Sequence, residues 1–160
     1  MIRPDPANLK QGFSLFPSGV VIVTTRDAAS NDHGFTASTF VPLSVEPPMV
    51  LVCLNRNAQC HDVFIEAESF AVSVLRPTHQ DIAIRFATRG ADKFSALSLA
   101  RAANGMPILA DALVAFECST AGHHPGGDHT ILTGQVQGLH HAGDREAMVH
   151  FARAFHMVQG

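Results

Sequence analysis

The chain has 160 residues, of which 46% are hydrophobic and 16% charged, and its 11 Lys+Arg against 14 Asp+Glu leave a net charge of −3. That length suits a single domain spanning residues 1–160, and so few charges imply an apolar surface that a second subunit covers, so a homodimer is expected. Lysine occurs only at positions 10 and 93, with no basic run to hold a nucleic acid; no apolar run reaches the ~18 residues that span a bilayer and the N-terminus has no signal-peptide core, so a cytoplasmic protein is expected.

Asp5 before Pro6 reads as an N-cap followed by proline at the first helical position, opening a short helix that carries Leu9 and Phe13 and stops before Phe16-Pro17. Ser18 to Thr25 is β-branched enough for a buried strand, and the polar RDAASNDHG after it reads as a hairpin connection. His33 to Leu54 then holds two strand-like runs around Glu46-Pro47-Pro48, because two prolines cannot continue a ladder. Cys60 to Ala67 reads as one or two helical turns, and Ser69 begins the next strand, with Phe70, Val72 and Val74 alternating against Ala71 and Ser73. Thr78 to Thr88 reads as a helix broken at Gly90; Ala112 to Thr120 and Thr130 to His140 read as strands. Met148, Phe151, Ala152 and Phe155 recur at helical spacing after Asp144, which predicts a C-terminal helix. About six strands without βαβ alternation predict an antiparallel barrel with helical decoration.

Thr36, Ser38, Thr39 and Ser44 place hydroxyls, with Gly34 just before them, among Phe35, Ala37, Phe40, Val41 and Leu43. A buried hydroxyl without a partner costs about 1–3 kcal/mol, so the cluster calls for backbone partners, water or a polar ligand. Asn55 to Cys60 joins a buried strand to a short helix, a junction that favours an anion through backbone N–H groups and Arg56, or else a solvated turn. Arg85, Arg89 and Lys93 form a second basic group in a cation-poor chain. Gly126-Gly127-Asp128-His129 brings a histidine beside a carboxylate at the entry to a strand, either a ligand contact or a turn anchor. Cys53, Cys60 and Cys118 are odd in number and read as reduced thiols, and the histidine spacing follows no metal pattern, so no metal site is expected. No serine elbow, Walker loop or GxGxxG is present.

GFTASTFVPLSVEPPMVLVCLNRNAQCHDVF resembles the core signature of the short-chain flavin reductases, the reductase components that feed reduced flavin to two-component flavin-dependent monooxygenases. FPSGVVIVTT, RFAT with DKF, ALVAFEC, GDHTILTGQV and RAFHMV extend the resemblance along most of the chain in matching order. It implies a mainly β fold, a six-stranded antiparallel split β-barrel of Greek-key type with a few peripheral helices, binding FMN or FAD at a dimer interface. It also implies an NAD(P)H:flavin oxidoreductase that passes hydride from NADH or NADPH to the flavin and serves a partner monooxygenase.

By position, the resemblance puts Thr36, Ala37, Ser38 and Thr39 on the flavin ring and ribityl chain, and Asn55, Asn57, Ala58 and Cys60 near the ribityl phosphate, where many members have Ser or Thr at the last two positions. Arg85, Phe86, Lys93 and Phe94 match the segment that closes over the phosphate or adenylate portion. Asp128 and His129 match the catalytic block beside the ring where nicotinamide stacks, and His156 matches an aromatic-His tail near the same site. Related split barrels leave two rivals: a flavin-binding electron-transfer protein without nicotinamide activity, and a heme-handling barrel that uses the histidines.

Overall fold

A computed structural model describes residues 4–141, 143 and 146–160. Chain order runs α1 (Pro6–Ser14), β1 (Ser18–Gly19), β2 (Val21–Arg26), β3 (Asp32–Ala37), β4 (Phe40–Val45), β5 (Pro48–Asn55), α2 (His61–Glu66) and β6 (Ser69–Val74). A 3-10 turn (Pro77–His79) leads into α3 (Gln80–Ala87), followed by β7 (Leu99–Arg101), β8 (Pro107–Leu109), β9 (Val114–Gly126), β10 (His129–His141), β11 (Glu146–Phe151) and β12 (Ala154–Gln159). The molecule is mainly β with few helices, as expected. No helix among the described residues is long and apolar enough to cross a membrane.

The main sheet has seven strands, in the order β3-β2-β6-β9-β10-β5-β4, rather than six. Every pairing in it is antiparallel, and β3 and β4 are its open edges. They are joined by only Ser38 and Thr39, so the chain steps straight from one edge of the sheet to the other. Val21, Val23, Phe35, Val52, Leu54, Phe64, Phe70, Val72 and Leu132 fill one core of the sheet. Val20, Ile22, Leu75, Phe86, Ile108, Leu109 and Met148 fill another. β2 supplies both because its buried residues alternate between faces.

The N-terminal helix follows its sequence closely: the Asp5 carboxylate accepts from the Ala7 and Asn8 amides, both at 2.9 Å, satisfying donors that a helix start leaves open. Its Leu9 and Phe13, however, are exposed. The helix expected from Thr78 starts as the 3-10 turn and becomes α-helical only at Gln80.

The C-terminal helix is the clear correction. Residues 146–159 form the β11–β12 hairpin, in which Phe151 pairs with Ala154, and Asp144 lies outside the described residues. The turn residues Ala152 and Arg153 have φ of 50° and 65°. Asn or Gly normally signals such a turn, and without them the apolar residues of two strands fell on a helical period. β7 and β8 were also missed, although Asn104-Gly105 marks the loop between them, with Gly105 at φ 82°.

One close contact inside the main sheet and one ion pair at its margin bear on its stability. Gly134 of β10 has no room for a side chain, because a Cβ would overlap the ring of buried Phe70 and meet the Cys118 Cβ at 3.0 Å. Glu117 of β9, 7% exposed, pairs with His140 and accepts from the Asn104 amide at 3.3 Å, which fastens the β7–β8 loop. Burial by itself would push the Glu117 carboxyl up; the His140 hydrogen bond and the Ala103 and Asn104 amides outweigh it and hold the pKa below the ordinary 4.5.

Gly134→Ala is expected to lose about 1–3 kcal/mol in urea unfolding, the usual cost of overpacking a core. The Glu117 fastening acts above the carboxylate's unfolded pKa and is lost as pH falls through its lowered folded value. On acidification the melting temperature of the native chain should therefore fall more steeply than that of Glu117→Gln.

Candidate functional site

The open side of the sheet forms a cleft of about 420 Å³ lined by the end of β3, the Ser38-Thr39 step, the end of β5, the loop into α2, the end of α3 and the segment after it. That volume lies within the range of ~300–1,000 Å³ common for small-molecule sites. Of the residues singled out in the sequence, Thr36, Ala37, Ser38, Thr39, Asn55, Asn57, Ala58, Cys60, Phe86, Lys93 and His129 line it. Residues 80 to 100 positions apart in the chain thus meet on one surface.

The hydroxyls divide by partner. Thr36 Oγ1 donates to the Ala83 carbonyl of α3, so this side chain ties β3 to the helix. Thr39 Oγ1 accepts from the Cys53 amide at 3.3 Å and lies 3.5 Å from the Cys53 carbonyl, bridging to β5. Ser38 is exposed and has no partner among the described residues, which makes it the hydroxyl open to the cleft. Ser44 sits out on β4 and does not line the cleft.

Much of the loop before α2 satisfies itself. The Asn57 amide donates to Asn55 Oδ1 (2.8 Å), the Ala58 amide to the Asn55 carbonyl (3.0 Å) and the Arg56 amide to the Asp128 carbonyl (3.0 Å). The Gln59 amide has no acceptor among the described residues, the Cys60 amide lies against its own thiol, and both residues line the cleft.

Residues 88–98, between α3 and β7, form a strap over the cleft. Arg89 Nη1 donates to the Asn57 carbonyl (3.1 Å), the Gly90 amide to Gln59 Oε1 (2.7 Å) and Lys93 Nζ to the Gly34 carbonyl (3.0 Å). Arg89 and Lys93 are the two cations of the lining, which includes no carboxylate. Lys93 is partly buried and ion-pairs with no carboxylate among the described residues; desolvation pulls its pKa down, against a small opposing effect of Cys60. A partly buried ammonium bonded to a neutral carbonyl favours an anion beside it.

His129 also lines the cleft, directly across from Asn55 in the β5–β10 ladder. Its Nδ1–H donates to Asp128 Oδ1 at 2.7 Å, leaving Nε2 as its other polar atom. The hydrogen bond from His129, and then its charge, hold the Asp128 carboxyl below its ordinary value. Asp128 itself is 81% exposed and not part of the lining, so its action on the cleft is through His129.

Three other sequence candidates also lie off the cleft. Arg85 Nη1 donates to the Ser95 carbonyl, bracing the strap from α3. Phe94 packs edge-on against Phe86, centroids 5.1 Å apart, and lines a neighbouring hollow beneath the strap. His156 belongs to the β11–β12 hairpin, with Nε2 3.2 Å from the Phe151 carbonyl. Lining residues to which the sequence assigned no ligand role were Phe35, Cys53, Leu54, Gln59 and Ala87, and Arg89 joins them from the basic group. Arg89 was legible as part of the basic group; Cys53 and Leu54 were hidden because strand alternation does not reveal which residue ends beside a cleft.

Residues 13–159 match the family described as the flavin reductase-like domain. The chain is 46% identical over 136 residues to the actinorhodin polyketide dimerase of Streptomyces coelicolor, covering 85% of this chain and 77% of that one. Two Rhizobium meliloti relatives, each 37% identical, are longer: the chain spans 60% and 45% of their length. Among solved structures it is similar to the NADH:FAD oxidoreductase SgcE6 of Streptomyces globisporus in complex with NAD and FAD fragments (TM-score 0.91, 32% identity, 98% of this chain and 94% of that one). It is equally similar to BorF, the flavin reductase component of a bacterial two-component tryptophan halogenase (TM-score 0.90, 32% identity, 98% and 99% covered).

The cleft geometry ranks the three thiols. Burial pushes up the Cys60 thiol, and burial followed by the Glu117 charge pushes Cys118 to about 12, whereas Cys53 is half-buried on the cleft wall. A thiol reagent at neutral pH is expected to modify Cys53 first, and a ligand filling the cleft to slow that reaction. Equal labelling of all three with and without ligand would contradict the arrangement.

Proposed function

The chain belongs to the flavin reductase-like domain family, and from that premise we propose that it is an NAD(P)H-dependent flavin reductase, taking FMN or FAD in the β3–β5 cleft and supplying reduced flavin to a partner monooxygenase. The observation that carries this reading is the cleft itself, whose lining brings together two strap cations without a carboxylate, a Ser38 hydroxyl with no partner among the described residues, and His129. These residues fit an elongated ligand with a flat polar ring and a phosphate. The open seven-stranded sheet is, in this reading, the split barrel that the resemblance implies.

Bound together, flavin and nicotinamide supply the hydride chemistry. The protein's share is position and electrostatics. Ser38 and the backbone of 36–39 hold the ring, while the Thr36 and Thr39 hydroxyls, already engaged with Ala83 and Cys53, keep that backbone in place. Lys93, Arg89 and the Gln59 amide receive the phosphate. His129 offers Nε2 to the nicotinamide side, and Asp128 fixes which nitrogen faces the cleft. The SgcE6 complex carries NAD and FAD fragments, which supports the same pairing here.

The homodimer belongs to this proposal. Exposed Val41, Leu43 and Val45 line the open β4 edge, Val45 at 93%, and Phe13 and Phe16 of the N-terminal region are 73% and 74% exposed. A bare apolar strand edge invites pairing, and a second copy of this chain, with the flavin between them, accounts for it. The three free thiols suit a cytoplasmic setting.

Anaerobic addition of NADH to the protein with FMN, then FAD, should bleach the flavin absorbance; flavin binding without bleaching would leave only an electron-transfer role. His129→Ala should lower turnover with NADH by about tenfold or more while flavin affinity stays within about twofold, and unchanged NADH kinetics would take His129 out of the site. Ser38→Ala combined with Thr39→Ala should weaken flavin binding. Leu43→Glu with Val45→Glu should sediment as a monomer; an unchanged mass would place any subunit contact elsewhere.

A further inference from the structure

β3 grips the strap at two points two residues apart. The first is the Gly34 carbonyl, which receives Lys93 Nζ. The second is Asp32, whose carboxylate oxygens accept from Nη1 and Nη2 of Arg101, each at 2.7 Å. Arg101 is the last residue of β7, the three-residue strand that follows the strap and leads into the β7–β8 loop. Asp32 is mostly buried, 15% exposed, and Arg26 Nε lies 3.2 Å from its Oδ1. Arg26 is held in turn by the Ser30 carbonyl at 2.8 Å. A two-pronged Arg–carboxylate pair in a network of this kind fixes direction as well as distance, unlike an isolated surface ion pair.

Among the described residues β7 forms a ladder only with β8, and this two-stranded sheet meets the main one through β8, where Thr24 of β2 donates to the Pro107 carbonyl and the Leu109 amide to Ser73 of β6. The C-terminal end of the strap therefore has no strand ladder connecting it to β3. The Asp32–Arg101 pair is the side-chain link between β7 and β3 itself, and Arg101 is not among the residues that line the cleft.

We propose that Asp32 and Arg101 are positioning residues for the phosphate end of the flavin: their ion pair sets where the strap crosses β3 and so holds Lys93 and Arg89 at the cleft. This rests on the reading above that those two cations receive the phosphate. The coupling is direct because Asp32, through its carboxylate, and Gly34, through its backbone carbonyl two residues on, clasp the two ends of the stretch from Lys93 to Arg101.

The test compares two ligands with the same ring, FMN and riboflavin, of which only FMN carries the phosphate. Dissociation constants of both are measured for the native chain, Asp32→Asn, Arg101→Met, Arg101→Lys and Lys93→Met, with circular dichroism and melting temperature to establish that each variant folds. Asp32→Asn and Arg101→Met should weaken FMN by about tenfold and leave riboflavin within about twofold; Arg101→Lys, which keeps the charge but loses the fork, should fall between. If Lys93→Met weakens FMN selectively but the Asp32 and Arg101 variants bind FMN normally, the clasp is refuted and the cleft reading stands. Equal loss of both ligands in those variants also refutes it, since that marks general destabilisation. If Lys93→Met leaves the ratio of the two constants unchanged, the phosphate reading fails and the clasp with it.

Discussion

β3 has a strand on one side only. An edge strand must satisfy or shield its free backbone groups, and this one does so with pieces of chain that arrive 50 to 70 residues later. Along one side it accepts Arg101 at Asp32, presents Gly34 to Phe86 and Lys93, and ties Thr36 to the Ala83 carbonyl. Gly34 is the hinge of this arrangement: a Cβ there would stand 2.8 Å from Phe86 Cε1 and 2.9 Å from the Val23 carbonyl, so α3 packs against bare backbone. The cleft exists because α3 and the strap lean on β3 while β5 and the loop into α2 stand opposite.

The electrostatics follow from this packing. A lysine in open water would have no preference for an anion at a given spot, whereas Lys93 is partly desolvated and meets a carbonyl instead of a carboxylate. The charge stays in place because the chain on either side of it is anchored, at Gly90 by Gln59 and at Arg101 by Asp32. The Asp128–His129 pair is exposed and local, and it presents one chosen nitrogen rather than a strong field.

Most strand positions in the first 75 residues were legible because β-branched runs, the Pro47-Pro48 turn and the Asp5-Pro6 cap each have a direct local cause, but the run before the prolines, read as one strand, is two, β3 and β4, divided at Ser38-Thr39. The ring-side segment 36–39 was legible as misplaced hydroxyls, although only Ser38 turned out to be without a partner. What stayed hidden depends on distant partners. Arg85 and Phe94 looked like ligand contacts because they are neighbours of Phe86 and Lys93 in sequence, yet their side chains brace the strap instead. The C-terminal hairpin was hidden by a turn built from Ala152 and Arg153, residues that rarely take positive φ.

The bond from the Arg56 amide to the Asp128 carbonyl, 3.0 Å long, joins the loop at the phosphate end to the turn that carries His129. Together with the His129–Asn55 register it makes β5, β10 and both their ends a single rigid jaw. The strap has no such ladder and is held by separate bonds at Arg89, Gly90 and Lys93, so the cleft joins one side fixed by continuous strand pairing to another fixed point by point.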